Sequence, residues 1–235
     1  MCGRYTLIHG VDAIAEVFEV DVEGLEKVHE PRYNIAPTQP APAIVSGTDG
    51  RVGGFLRWGL VPHWAEDLSN AARMINARSE TVAERTAYKE SFLSRRCLIP
   101  ADGFYEWASG PGGKQPHWIY GESRGLFAFA GIWARWRSPG GERIHTFSIL
   151  TREAPEDLSW LHDRVPLILD PAVWTDWLAR GTDPDVLQGI MASSPHPPLR
   201  THPVSKRVNH AAYDEPDCTE EVKEENPVDP QTRLF

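Results

Sequence analysis

The second residue of the chain is a cysteine, set in the opening MCGR. A start methionine ahead of so small a residue is normally removed, which leaves cysteine first, with an amine and a thiol on adjacent carbons. An α-amine has a pKa of about 7.7–8.0, so a useful fraction is unprotonated at neutral pH and can attack an aldehyde to give a Schiff base. The thiol then adds to the imine carbon and closes a five-membered thiazolidine, a step favoured because one residue holds both nucleophiles. The plainer alternative is a small, buried cysteine with no chemistry, since cysteine is among the most buried residue types.

Two other side chains could move protons. Glu106 stands between aromatics in FYEW. Partial desolvation there raises a carboxyl pKa and suits it to proton exchange; the alternative is an ion pair with a nearby arginine. His162 sits beside Asp163 and Arg164 in LHDRVP, just before a strand-like run, although a lone histidine is more often structural. His196, His202 and His210 have no convincing ligand spacing, and no metal is expected. Cys2, Cys97 and Cys218 form no CxxC pair, so neither a disulfide framework nor a zinc site is indicated, and a reduced compartment fits.

The elements that must position these groups are mostly strands. PAPAIVSG, GGFLRWGLV, HWIYGE, LFAFAGIWARW and HTFSILT are rich in aromatic or branched residues and punctuated by glycine or proline. Helical spacing is confined to Val11, Ile14, Val17 and Phe18, to the stretch between Pro171 and Gly181, and to DVLQGIMAS. The expected fold is α+β: a single domain on a curved, largely antiparallel, barrel-like sheet with flanking helices. Residues 1–213 form that domain, and the acidic 214–235 read as a flexible tail.

The net charge of −9 looks hostile to a polyanion. Eight acids and two bases lie between Asp214 and Phe235, however, which leaves only −3 on residues 1–213. A local positive groove is therefore compatible with an acidic chain. No run reaches the roughly 18 apolar residues of a membrane span, and MCGRYTLIHG lacks the regions of a signal peptide; a cytoplasmic protein with no membrane partner is expected.

RYNIAPTQ, WGLVPHWA, INARSET, SFLSRRCLIPADGFYEW, LHDRVPLIL and HPVSKRVN each combine charged or amide groups with the composition of shaped sites. Together with MCGR, in this order, they closely resemble the SOS response-associated peptidase family, the abasic-site processing proteins, from Met1 to about Asn209. The resemblance implies that Cys2 forms a covalent crosslink with the aldehyde of an abasic site in single-stranded DNA, without a cofactor. It places Asn76, Glu106 and His162 around Cys2, lines the DNA path with Arg4, Arg78 and Arg164, and packs Pro37 and Trp64 against the nucleic acid. Some members carry a second aromatic where this chain has Ala65, which removes one stacking contact. A monomer is expected.

Each implied role has a physical rationale. Asn76 orients the amine by hydrogen bonding without adding charge. His162 donates a proton to open the closed sugar. The arginines fork onto phosphates, which carry no sequence information. Of the aromatics, Trp64 is favoured over Trp58 as a stacking platform. Two other readings stay open: a thiol peptidase built on Cys2 and His162, and a non-catalytic reader of single-stranded or modified DNA.

Overall fold

Branched and aromatic residues alternate with small ones through the middle of the chain, and that pattern folds as long, half-buried or fully buried strands. The computed structural model describes residues 2–25, 29–110 and 113–223. The first half contains β1 (Tyr5–Leu7), α1 (Val11–Phe18), β2 (Val20–Asp21), β3 (Arg32–Ile35), β4 (Pro40–Ser46), β5 (Arg51–Trp58), β6 (Asn76–Arg78), α2 (Thr86–Ser94), β7 (Arg96–Ala101) and β8 (Gly103–Gly110). There follow β9 (Gly113–Gly121), β10 (Phe127–Arg137), β11 (Arg143–Glu153), β12 (Arg164–Pro166), β13 (Ile168–Leu169), α3 (Trp174–Leu178), α4 (Pro184–Ser193) and β14 (Leu199–Pro203).

One sheet closes on itself. β11 pairs with β10, β10 with β7, β7 with β4 and β4 with β5, all antiparallel. β5 then returns to β11 in parallel, with Thr146 opposite Arg57 and Phe147 opposite Trp58. The resulting five-stranded barrel is filled by residues such as Trp58, Phe129 and Phe147, all with no exposed surface. Tyr5 packs edge-on against Trp58 and Phe129, with ring centres 5.2 and 5.8 Å apart. Closure removes sheet edges and leaves the pairs flanking β11 to carry side chains outward.

A second sheet, in the order β14, β9, β8, β1, β3, brings the N-terminal residues alongside. Its joint with the barrel is the buried Asp102, between β7 and β8. That carboxylate accepts from Thr6 Oγ1 and the Ile8 amide at 2.5 Å and from the His9 amide at 3.3 Å. The fold is α+β, as the sequence indicates.

α1 buries Ile14 and Phe18 while Val17 is exposed, so its apolar stripe is narrower than the sequence spacing suggests. Two strands, β7 and β8, lie inside the segment that reads as a polar site element. In β7 every residue is buried, including Arg96, whose guanidinium donates to the carbonyls of Phe92, Leu93, Trp177 and Ala179.

The acidic C-terminal segment is fastened well past residue 213. Asp214 accepts from the Tyr33 and Asn34 amides at 2.6 and 2.7 Å and pairs with Arg32. Cys218 is buried against Tyr105, and the Val222 amide donates to Pro203 at 2.9 Å. These contacts tie residues 214–222 to β3 and β14. The remainder of the expected tail, 224–235, lies outside the described residues. Among those described, no helix is long and apolar enough to cross a membrane.

Candidate active site

β11 is the spine of the site. Its C-terminal half pairs in parallel with β6, placing Asn76 opposite Ile149 and Arg78 opposite Thr151. On its other edge it pairs with β12, placing Arg164 opposite Glu153. β1 enters from the second sheet against β8, so the residues leading into β1 run beside the strand that carries Glu106.

Cys2 is completely buried. Its carbonyl oxygen accepts from Asn76 Nδ2 at 2.7 Å, and its thiol lies 3.6 Å from the Arg4 carbonyl oxygen. Burial first, and then the Glu106 carboxylate, push the thiol well above the ordinary cysteine range. Tyr88 Oη donates to the Asn76 carbonyl at 3.2 Å, which holds β6 from behind. Met1, whose removal would free the Cys2 amine, lies outside the described residues.

Glu106 is 3% exposed, and burial pushes its carboxyl up to about 7. Burial thus favours its protonated form, in line with its position between aromatics. Across the β8–β9 ladder it faces His117, which is also buried. Trp160 stands edge-on to that imidazole, 5.2 Å between ring centres, with more than half of its own surface exposed. Neither residue carries a signal in its local sequence; the fold supplies both, His117 by cross-strand register and Trp160 by the turn before His162.

His162 has two neighbours at Nδ1. The Arg164 amide donates to it at 3.0 Å, and Asp163 Oδ1 lies 2.6 Å away. The first contact needs a lone pair on Nδ1 and the second a proton, so they belong to different protonation states. Burial lowers the pKa of His162 and favours the neutral ring. When Nδ1 accepts from Arg164, the ring is neutral and its proton resides on Nε2, a hydrogen-bond donor; when Nδ1 is protonated toward Asp163, the ring is an imidazolium that can give its Nε2 proton away.

The three arginines have unequal surroundings. Arg78 is exposed at the end of β6. Arg164 forks onto Glu80 at 2.7 and 2.8 Å and donates to the Thr151 carbonyl at 2.6 Å. Arg4 binds Asn34 Oδ1 at 3.1 Å and the carbonyls of Val208 and Asn209 at 2.6 and 3.3 Å. Asn34 itself, buried, donates to the carbonyls of Val208, His210 and Tyr213.

Among the aromatics, Trp64 is 58% exposed, whereas Trp58 is fully buried with its indole nitrogen bonded to the Ile75 carbonyl. Ala65 presents its carbonyl to Trp136 Nε1 at 2.7 Å, which anchors the Trp64 loop. Pro37 lies half-buried beside Thr38, which adopts a positive φ of 68°. The Thr38 amide donates to Trp58 and the Ala36 amide to Gln39 Oε1, so neighbouring contacts hold this strained turn in place.

Cys2 is thus tied to Asn76 on β6 and lies within electrostatic reach of Glu106 on β8, and residues 1–211 match the family described as SOS response associated peptidase (SRAP). The chain belongs to that family. This SRAP chain is 40% identical over 223 residues to the abasic site processing protein YoqW of Bacillus subtilis (strain 168), covering 94% of this chain and 99% of that one. It is 34% identical over 222 residues to the abasic site processing protein HMCES of Gallus gallus, covering 81% of this chain and 66% of that one. A solved structure from Bacteroides thetaiotaomicron shares the SRAP chain's fold, with a TM-score of 0.81 at 21% identity over 94% of this chain and all of that one. A phage-related protein from Bordetella bronchiseptica gives a TM-score of 0.70 at 28% identity over 87% of this chain and 95% of that one.

Proposed function

We propose that this protein processes abasic sites in single-stranded DNA by forming a thiazolidine crosslink through Cys2 once Met1 is removed. The observation that carries the reading is the anchoring of Cys2 by Asn76 at 2.7 Å beside a Glu106 carboxyl raised to about 7. The relatives named abasic site processing proteins, at 34 to 40% identity, support it.

In this mechanism the protonated form of His162, with its Nδ1 hydrogen on Asp163, gives its Nε2 proton to the ring oxygen of the closed abasic sugar while the anomeric hydroxyl gives its proton to the Glu106 carboxylate, and the ring opens to the aldehyde. The Cys2 amine adds to the aldehyde carbon, and the resulting hydroxyl takes a proton and leaves as water, giving an imine. The Cys2 sulfur then bonds to the same carbon, its proton passes to Glu106, and the imine nitrogen is protonated. Aldehyde and aminothiol become thiazolidine plus water.

Holding the thiol protonated until the imine exists suits this order: burial first, and then the Glu106 carboxylate, keep the proton on the sulfur, and Glu106 is the acceptor once the bond forms. A peptidase dyad requires the opposite, a thiolate stabilised next to an imidazolium, so the crosslinking reading ranks above the peptidase one. Trapping the imine also competes with β-elimination, which would break the strand.

The test is intact-mass analysis after incubation with single strands containing an abasic site or none. The expected result is an adduct of protein plus oligonucleotide minus one water, formed only with the abasic strand and only by chains that begin at Cys2. An unmodified mature chain would overturn the proposal.

A further inference from the structure

Beyond Trp64 the surface turns basic. The exposed indole shares a cleft with Arg95 and Arg135, and those two arginines continue into a neighbouring recess of about 260 Å³ that Arg96 and Arg180 also line. The guanidinium carbon of Arg135 lies over the Trp133 ring, 5.2 Å from its centre. Arg180 and Arg135 are exposed. Across the hairpin Arg135 faces His145, and Arg137 faces Arg143. The acid lining the Trp64 cleft is Glu90, which Arg95 and His63 already hold at 2.6 and 3.0 Å. In a chain of net charge −9, such a concentration of guanidinium groups needs a reason.

We propose that this recess is a second phosphate-binding site, which takes the backbone of the single strand flanking the abasic nucleotide. The proposal rests on the single-stranded DNA reading above and extends it. Arg78 pairs across from Thr151 and Arg135 from His145 on the same strand, β11. At about 3.3 Å per residue the two positions lie on the order of 20 Å apart, several nucleotides beyond the reacting sugar. Its aromatic floor is covered by Arg135, so the contact is with backbone charge and is independent of sequence.

The experiment compares the parent with Arg135→Ala/Arg180→Ala and Arg135→Lys/Arg180→Lys, both at exposed positions outside the Cys2 site. The probes are single strands carrying a stable cyclic-ether abasic analogue with three nucleotides on each side, or with ten more added at the 3′ or the 5′ end. Fluorescence anisotropy across a salt series gives the slope of log affinity against log salt. The expected result is a loss of slope of about 0.7 per contact, on the order of 1.4 for the alanine pair, on one of the two extended strands, retention of that slope by the lysine pair, and no change on the short strand. Equal slopes for parent and alanine pair on both extended strands, or the same loss on the short strand, would overturn the proposal. So would an arginine-dependent slope that persists when the extension is paired with its complement. Adduct mass on a short strand with a true abasic site is read separately: its absence in the parent counts against the crosslinking reading, while the salt slopes on the unreactive analogue still decide the recess.

Discussion

Asn76 donates its carboxamide hydrogen to the carbonyl oxygen of Cys2 across 2.7 Å, linking β6 to the residue that precedes β1. The contact fixes the main chain of Cys2 from the carbonyl side and so sets the direction in which its amine leaves the α-carbon. Because β6 is held in register on β11, that direction is referred to the barrel rather than to a loop. Replacing Asn76 by alanine should slow crosslink formation about tenfold, the worth of one well-placed hydrogen bond, with the yield at long times unchanged. A quench-flow series followed by mass analysis measures it.

Cys2→Ser keeps an amine but lacks the sulfur. It should form an imine that borohydride traps, yield no adduct stable to denaturant, and nick the abasic strand more than the parent does. A serine variant that crosslinks as durably as the parent would remove the ring-closing step.

Glu106 makes a prediction about pH. An acid whose folded pKa stands near 7, above the ordinary 4.5, opposes folding when ionised. Its cost is absent below about pH 4.5, grows as pH rises, and is fully present above about pH 7. Glu106→Gln should therefore raise the melting temperature little at acid pH and more at about pH 8. The same variant should slow release of the crosslink in a strand-exchange assay, because a carboxamide cannot return the proton. Melting curves across pH and exchange rates separate the two effects.

The two tryptophans of WGLVPHW should behave oppositely. Trp64→Ala, at an exposed side chain, should leave the melting temperature unchanged and weaken single-strand binding by about 1–3 kcal/mol. Trp58→Ala, in the barrel interior, should cost about 3–5 kcal/mol of stability. Denaturant titration and anisotropy read each in turn.

Asp214→Ala should also destabilise, by about 2–4 kcal/mol, since it leaves the part-buried amides of Tyr33 and Asn34 and the Nε of Arg32 without their acceptor. A denaturant midpoint equal to that of the parent would show that the C-terminal segment is not part of the folded body.

Local sequence carries the long strands well, because β4, β5, β9, β10 and β11 are built from branched and aromatic runs whose burial can be read residue by residue. It carries β7 and β8 poorly. RCLIPA holds an arginine and a proline, which ordinarily argue against a central strand, and the carbonyls offered to Arg96 by the preceding helix α2 and by the distant Trp177 and Ala179 make that position tolerable. The tuned carboxyl of Glu106 is legible from its aromatic neighbours. His117 and Trp160 are not, since cross-strand register places one and a loop the other. Charge counting misleads at the C-terminus for a related reason: Asp214 is one acid among eight in the count, and its bonds to β3 depend on tertiary structure alone.

The ties that Asn34 and Arg4 make to the carbonyls of residues 208–213 give the protein a built-in delay. A ribosome releases Cys2 at the start of synthesis and Val208 near its end, separated by on the order of 10–40 seconds at about 5–20 residues per second. Throughout that interval the segment around Cys2 lacks these ties, so on the crosslinking proposal its selectivity for one sugar arises only when the last strap closes.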